Sequence, residues 1–230
     1  MKTTIVIFKK QMADTLKNKE ILIQFIMFPI ITIIMEKVIV MEGMPEYFFA
    51  KMFSAMYMGM APLIATAAII AEEKEKNTLR VLMMSDVRPV QYLLGVGSYV
   101  WLLCMIGAAV IAFSTGFQGK QLLIYMCAMG FGNMVSIIVG AAIGMFARNQ
   151  MMATSVVMPV MLVLSFLPML AMFNKTLEKV AYFFYTRQIQ VFMNGPEYDM
   201  IEGRGILIVL CNMIVALVLF LAAYKKNGLE

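Results

Sequence analysis

Two adjacent carboxylates, Glu72 and Glu73, stand at the end of the apolar run "MFSAMYMGMAPLIATAAII". Paired carboxylates at a membrane edge can activate water for peptide cleavage when an arginine and histidines assist them. That assistance is missing. Asn77 stands near the place of the required arginine, and the chain contains no histidine, so the commonest general base and metal ligand is lost. Nucleotide chemistry fares no better. The Gly119-Lys120 pair has Ser114 where the first glycine of a phosphate-binding loop belongs, and Gln121 where Ser or Thr would hold magnesium. Cys104, Cys127 and Cys211 fall within apolar runs, where thiols act as small packing groups and build no disulfide or metal framework.

The elements around these residues are set by composition. Of 230 residues 62% are hydrophobic, against roughly 45–50% in a soluble domain, and the mean hydropathy is +0.83. Apolar residues come in runs of about 20, enough for a helix to cross the hydrocarbon core, where backbone groups must be satisfied within the segment. The expected fold is therefore all-α and polytopic in the membrane. Six spans are predicted, Ile21 to Val40, Met52 to Ile70, Tyr92 to Phe113, Gln121 to Phe146, Met151 to Phe173 and Ile206 to Tyr224, within a single transmembrane domain over 1–230. The first span follows a charged start and shows no small-residue cleavage site, so it is read as retained. Lys and Arg concentrate on one side, among them Lys9, Lys10, Lys74, Lys76, Arg80, Arg148 and Lys225. The positive-inside rule makes that side cytoplasmic and puts both termini there.

Residues 1–20 form an amphipathic helix, with Met1, Ile5, Phe8, Met12 and Leu16 spaced for one face in the headgroup layer. In the 72–88 segment, Glu72 and Lys76 pair at i, i+4, and Glu73, Lys74 and Glu75 extend the second span into water. Asn77 and Thr78 predict a bend and a cap. A short helix follows, whose Leu79, Leu82 and Met83 form an apolar stripe. Such a helix, charged on one face and greasy on the other, is read as a docking element. The outer segment 174–205 carries a second amphipathic pattern (Leu177, Val180, Ala181, Phe184), ended by Gly195-Pro196 and followed by Glu197, Asp199 and Glu202. Ser136, Gly140 and Gly144 make a small-residue stripe suited to internal helix packing. Glu36 and Lys37 are expected to snorkel to the outer interface. Pro29, Pro62, Pro159 and Pro168 can kink their spans, and Met56, Met60, Met158 and Met161 are candidates for an adaptable apolar pathway.

"EKEKNTLRVLMMSDVRPVQYLLG" resembles the signature after the second helix of type 2 ATP-binding-cassette permeases, the membrane halves of ABC exporters. Glu73, Glu75, Thr78, Leu79, Leu82, Ser85, Leu93, Leu94 and Gly95 carry the resemblance. Asn77 stands in place of the usual glycine, Pro89 is displaced, and Val96 replaces a lysine. The resemblance implies that this element is a coupling helix, with Glu73, Glu75, Lys76, Thr78, Leu79, Arg80, Leu82 and Met83 facing an ATPase. It implies outer helices that dip back, with Leu177, Val180 and Phe184 closing an exit. It also implies a separate ABC ATPase in two copies holding ATP and Mg2+, with no cofactor in this chain. A second permease half, as homodimer or heterodimer, membrane lipids as surroundings and no nucleic acid complete the partners. The implied activity is outward movement of an amphipathic or hydrophobic cargo, such as a peptide, antibiotic or lipid-like molecule, across a bacterial plasma membrane. A secondary transporter or channel, or a membrane scaffold or sensor, is the alternative. An ion-coupled carrier calls for paired ionisable groups near mid-membrane, and the second to sixth spans show none.

Overall fold

A computed structural model of the chain describes residues 2–15, 19–39, 43, 45–84, 87–194 and 203–227. Every regular element among them is a helix: α1 (Lys2–Thr15), α2 (Lys19–Val38), α3 (Phe48–Glu75), α4 (Thr78–Met84), α5 (Pro89–Thr115), α6 (Gly119–Phe146), α7 (Gln150–Ala171), α8 (Lys175–Ala181), α9 (Tyr185–Met193) and α10 (Gly203–Asn227). Five are long and apolar enough to cross a membrane, namely α3, α5, α6, α7 and α10. Helix α2, of 20 residues, occupies the place of the first expected span. The helices overrun the apolar runs. Helix α3 continues through all five residues of "AEEKE", because its polar end is held by side-chain partners described below.

Helix α3 is the axis of the bundle. Of its most apolar window 78% is buried, against 11% for α10, and α2, α5, α6, α7 and α9 all pack on it. The tightest seam joins α3 to α6. A methyl at Gly140 would lie 2.4 Å from the Leu63 carbonyl oxygen, and one at Gly144 2.9 Å from that of Ala67. Only hydrogen allows this approach, so the small-residue stripe serves internal packing.

Proline decides the polar contacts of this seam. Pro62 has no N–H, which leaves the Met58 carbonyl without its helical donor. Ser136 Oγ donates to that carbonyl at 2.6 Å and also meets the Tyr185 hydroxyl at 2.7 Å. One missing N–H thus ties α3, α6 and α9 together. On the facing side, Gly59 lies against the Leu164 carbonyl, which precedes Pro168 by four residues.

Two expectations change here. Glu36 does not snorkel: its Oε2 accepts from Ala50 N at 2.8 Å and so caps the first turn of α3. The amphipathic helix expected through Phe184 divides in two. Helix α8 ends at Ala181, a turn covers 182–184, and α9 begins at Tyr185. Leu177 therefore sits on α8 and Phe184 in the turn that leads into α9. The Gly195-Pro196 break, Glu197, Asp199, Glu202 and Ser85 lie outside the described residues.

Candidate functional site

The charged run that ends α3 is where most elements converge. Asn77 adopts φ 58, the left-handed conformation that asparagine accepts more readily than most residues. The chain turns there, and Thr78 opens α4 with its Oγ1 donating to the Glu73 carbonyl at 3.1 Å.

Each charge before the turn answers a different neighbour. Glu72 pairs with Lys76 across one helical turn, exposed and contributing little. Glu73 is buried and points the other way. Its carboxylate accepts from Lys10 Nζ and from Gln11 Nε2, at 2.7 Å, both on α1, and from the Tyr92 hydroxyl on α5. Lys74 Nζ donates to the Met145 carbonyl at 2.6 Å, placing a cation on an orphan acceptor in the last turn of α6. Glu75 accepts from Gln150 N at 3.1 Å, an anion at the positive start of α7. Asn149 completes that cap by accepting from Met152 N at 2.9 Å. Four consecutive charged residues thus bind α3 to itself, α1 and α5, α6, and α7 in turn.

Helix α10 reaches the same junction. Tyr224 Oη donates to the Val87 carbonyl at 2.8 Å, just beyond α4, and its ring lies 6.4 Å from that of Tyr92. Helix α1 is docked rather than afloat. Ile7 is buried against Gly95, where even a methyl would come within 2.7 Å of it, and Phe8 meets Tyr99 edge-on at 5.7 Å. Ile5 and Met12 remain exposed, available to the bilayer.

The apolar stripe of α4 needs correction. Leu79 is 2% exposed and sits in the chain's own core, with Leu82 and Met83 packed beside it. It anchors α4 and offers no knob to a partner. Arg80, Val81 (62% exposed) and Met84 (81% exposed) form the outward face, next to exposed Glu75, Lys76 and Asn77. Aspartates at Leu79 and Leu82 would break the junction itself.

At the other end of the bundle, α8 and α9 fold back against α3, α6 and α7. Asn174 caps α8, and Arg187 Nη2 reaches Glu178 at 3.1 Å. Helix α9 buries Tyr185, Thr186, Ile189, Gln190 and Met193 at helical spacing. Leu177 and Phe184 are half-buried and Val180 is half-exposed. The inward stripe belongs to α9, not to the Leu177, Val180 and Phe184 set. Among the described residues, the buried hydroxyls of Ser165 and Thr186 have no hydrogen-bond partner.

The methionines separate. Met60 and Met161 share one apolar cluster, Met56 belongs to the main core, and Met158 is exposed on the outside of α7. Among the described residues, no three His, Cys, Asp or Glu side chains gather to hold a metal ion.

Sequence reasoning missed Lys10, Gln11, Tyr92 and Tyr224 as partners of the junction. One signal was available. Gln11 lies four residues after Ile7, so a polar group shares the face that docks.

A family model described as ABC-2 family transporter protein matches residues 2–225. No curated protein matches the chain.

Proposed function

The chain belongs to the ABC-2 transporter family, and from that premise we propose that it is the permease subunit of an ABC exporter, driven by ATP hydrolysed on a separate chain. Helices α2, α3, α5, α6, α7 and α10 are its six spans, with α1 at the inner interface and both termini in the cytoplasm of a bacterial cell. Two such halves pair about a two-fold axis, and each engages one ATPase subunit. The cargo is amphipathic or hydrophobic and moves outward, past an exit that α8 and α9 close.

One observation supports the reading most: α4 follows directly on the charged end of α3, whose side chains hold α1, α5, α6 and α7, and Thr78 of α4 donates to the Glu73 carbonyl there. Force applied to α4 would reach every one of those helices. Its exposed Arg80, Val81 and Met84 are the surface for the ATPase, while Glu73, Glu75, Lys76, Thr78, Leu79, Leu82 and Met83 hold the mount. Glu73 is also the one buried charge among the described residues. It lies at the α4 end and away from mid-membrane, where an ion-coupled carrier would keep such groups.

The test is purification from native membranes through a tag, with Mg-ATP hydrolysis measured on the eluate. Val81→Asp with Met84→Asp should lose the co-purifying ATPase activity while the chain still inserts and keeps its thermal stability. Equal activity in variant and parent would place ATPase docking elsewhere.

A further inference from the structure

Two prolines leave two backbone carbonyls without their helical donor, Met58 on α3 because of Pro62 and Leu164 on α7 because of Pro168. The two lie close together. Ser136 meets the Met58 carbonyl, and the next residue, Gly59, faces α7 so closely that a methyl there would stand 3.0 Å from both the Leu164 carbonyl oxygen and the Ser165 hydroxyl. Each freed carbonyl therefore has a serine beside it.

Helix α9 bonds to the first of these pairs. Ser136 carries one proton, and giving it to Met58 at 2.6 Å leaves Tyr185 to donate across the 2.7 Å contact between the two hydroxyls. The second pair is unspent. Thr186 follows Tyr185 on α9, and both Thr186 and Ser165 are fully buried with hydroxyls that bond nothing among the described residues. Tyr185 and Leu164 already share one apolar cluster, and α9 packs on α7 as well as on α6.

We propose that α9 has two seats. In the first, which the structure shows, Tyr185 bonds Ser136. In the second, α9 rolls toward α7, and Thr186 donates to the Leu164 carbonyl while accepting from Ser165. Leaving the first seat breaks one hydrogen bond and keeps Met58 satisfied, since Ser136 stays with α6. Entering the second makes two bonds and relieves groups that otherwise go unpaired. Against those bonds stands the burial of Ile189 and Met193 in the main core, which the first seat provides. Two states so matched are shifted by a modest differential interaction. The switch rests on the exporter reading for its purpose, as the moving part of the exit, but not for its existence.

The test is 19F NMR of the full-length protein in lipid nanodiscs, with trifluoromethylphenylalanine installed at Phe192, which packs on the main core from α9. The parent should show a main resonance and a minor one. Tyr185→Phe gives up the first-seat bond and should raise the minor peak relative to the main by about tenfold, the effect of one hydrogen bond. Adding Thr186→Val, or Pro168→Ala, which restores a helical donor to Leu164, should return the ratio to that of the parent or below. An unchanged ratio in Tyr185→Phe, or a raised minor peak that survives both additions, overturns the second seat. Should Tyr185→Phe fail to fold, Ser165→Cys with Thr186→Cys is oxidised on a background lacking Cys104, Cys127 and Cys211. A disulfide needs the two Cα atoms within about 7 Å, and closing it should move the signal to the minor position. A disulfide that leaves the main resonance in place, or none forming, overturns the proposal. No ATPase or transport is read, so failure here leaves the exporter reading standing, and loss of that reading leaves the two resonances to be explained.

Discussion

The two ends of α3 are held by different chemistry. At the α4 end Glu73, Lys74 and Glu75 each have a partner on another helix, and buried Glu73 accepts from three donors. At the α9 end the Ser136 and Tyr185 hydroxyls join α6 to α9, and the buried Ser165 and Thr186 oxygens have no partner among the described residues. A fully satisfied buried network resists displacement, whereas unmade hydrogen bonds leave other arrangements close in energy. The α4 end is tied into one unit, while the α9 end keeps hydrogen-bonding capacity that its own described residues do not use.

The strongest way to break this comparison is Glu73→Ala. It strands Lys10, Gln11 and Tyr92 together and should cost about 3 kcal/mol, lowering the thermal midpoint in detergent by about 6–12 °C. Protease cutting near Phe8 should rise as α1 detaches. An unchanged midpoint would show that the junction is not a knot. Tyr92→Phe removes one charge-assisted donor and should cost about 2 kcal/mol in the same assay.

The sharper test reverses the sign. Thr186→Val removes a buried hydroxyl that bonds nothing among the described residues, so stability should rise by about 1 kcal/mol, or about 2–4 °C. A loss would mean the hydroxyl has a partner and the α9 end is as tied as the other. Smallest is Tyr224→Phe, which gives up one neutral bond to Val87 for about 0.5–1 kcal/mol. Its effect should nearly vanish in the Glu73→Ala background if α10 and α1 brace one unit, a double-mutant cycle that reads the coupling directly.

Much of the α4 end was legible because its signals are local. An i, i+4 pair, an asparagine before a threonine and a proline opening α5 specify helix, bend, helix and helix start within 20 residues. The direction of α4 was not legible. Spacing of Leu79, Leu82 and Met83 shows that one face is apolar, but whether it meets its own core or another protein depends on how the whole bundle closes around it, with Tyr224 of α10 reaching Val87 from 137 residues away. The break between α8 and α9 was hidden for another reason. Tyr182-Phe183-Phe184 contains no glycine or proline, and the carbonyls of the turn are met by side chains from elsewhere, Gln188 on Tyr182 and Asn212 on Phe183. Likewise, nothing near Glu36 announces that it will cap a helix beginning twelve residues later.

The docking of α1 carries a consequence for biosynthesis. Its partners on α5 emerge from the ribosome about 80 residues after it, a wait on the order of 4–16 s at about 5–20 residues per second. During that interval Lys10 and Gln11 have no Glu73–Tyr92 pocket to enter. The exposed Ile5, Val6 and Met12 give the nascent helix a temporary berth in the headgroup layer. The face that looks idle in the finished bundle is the one that keeps the chain's first helix from being lost before its seat exists.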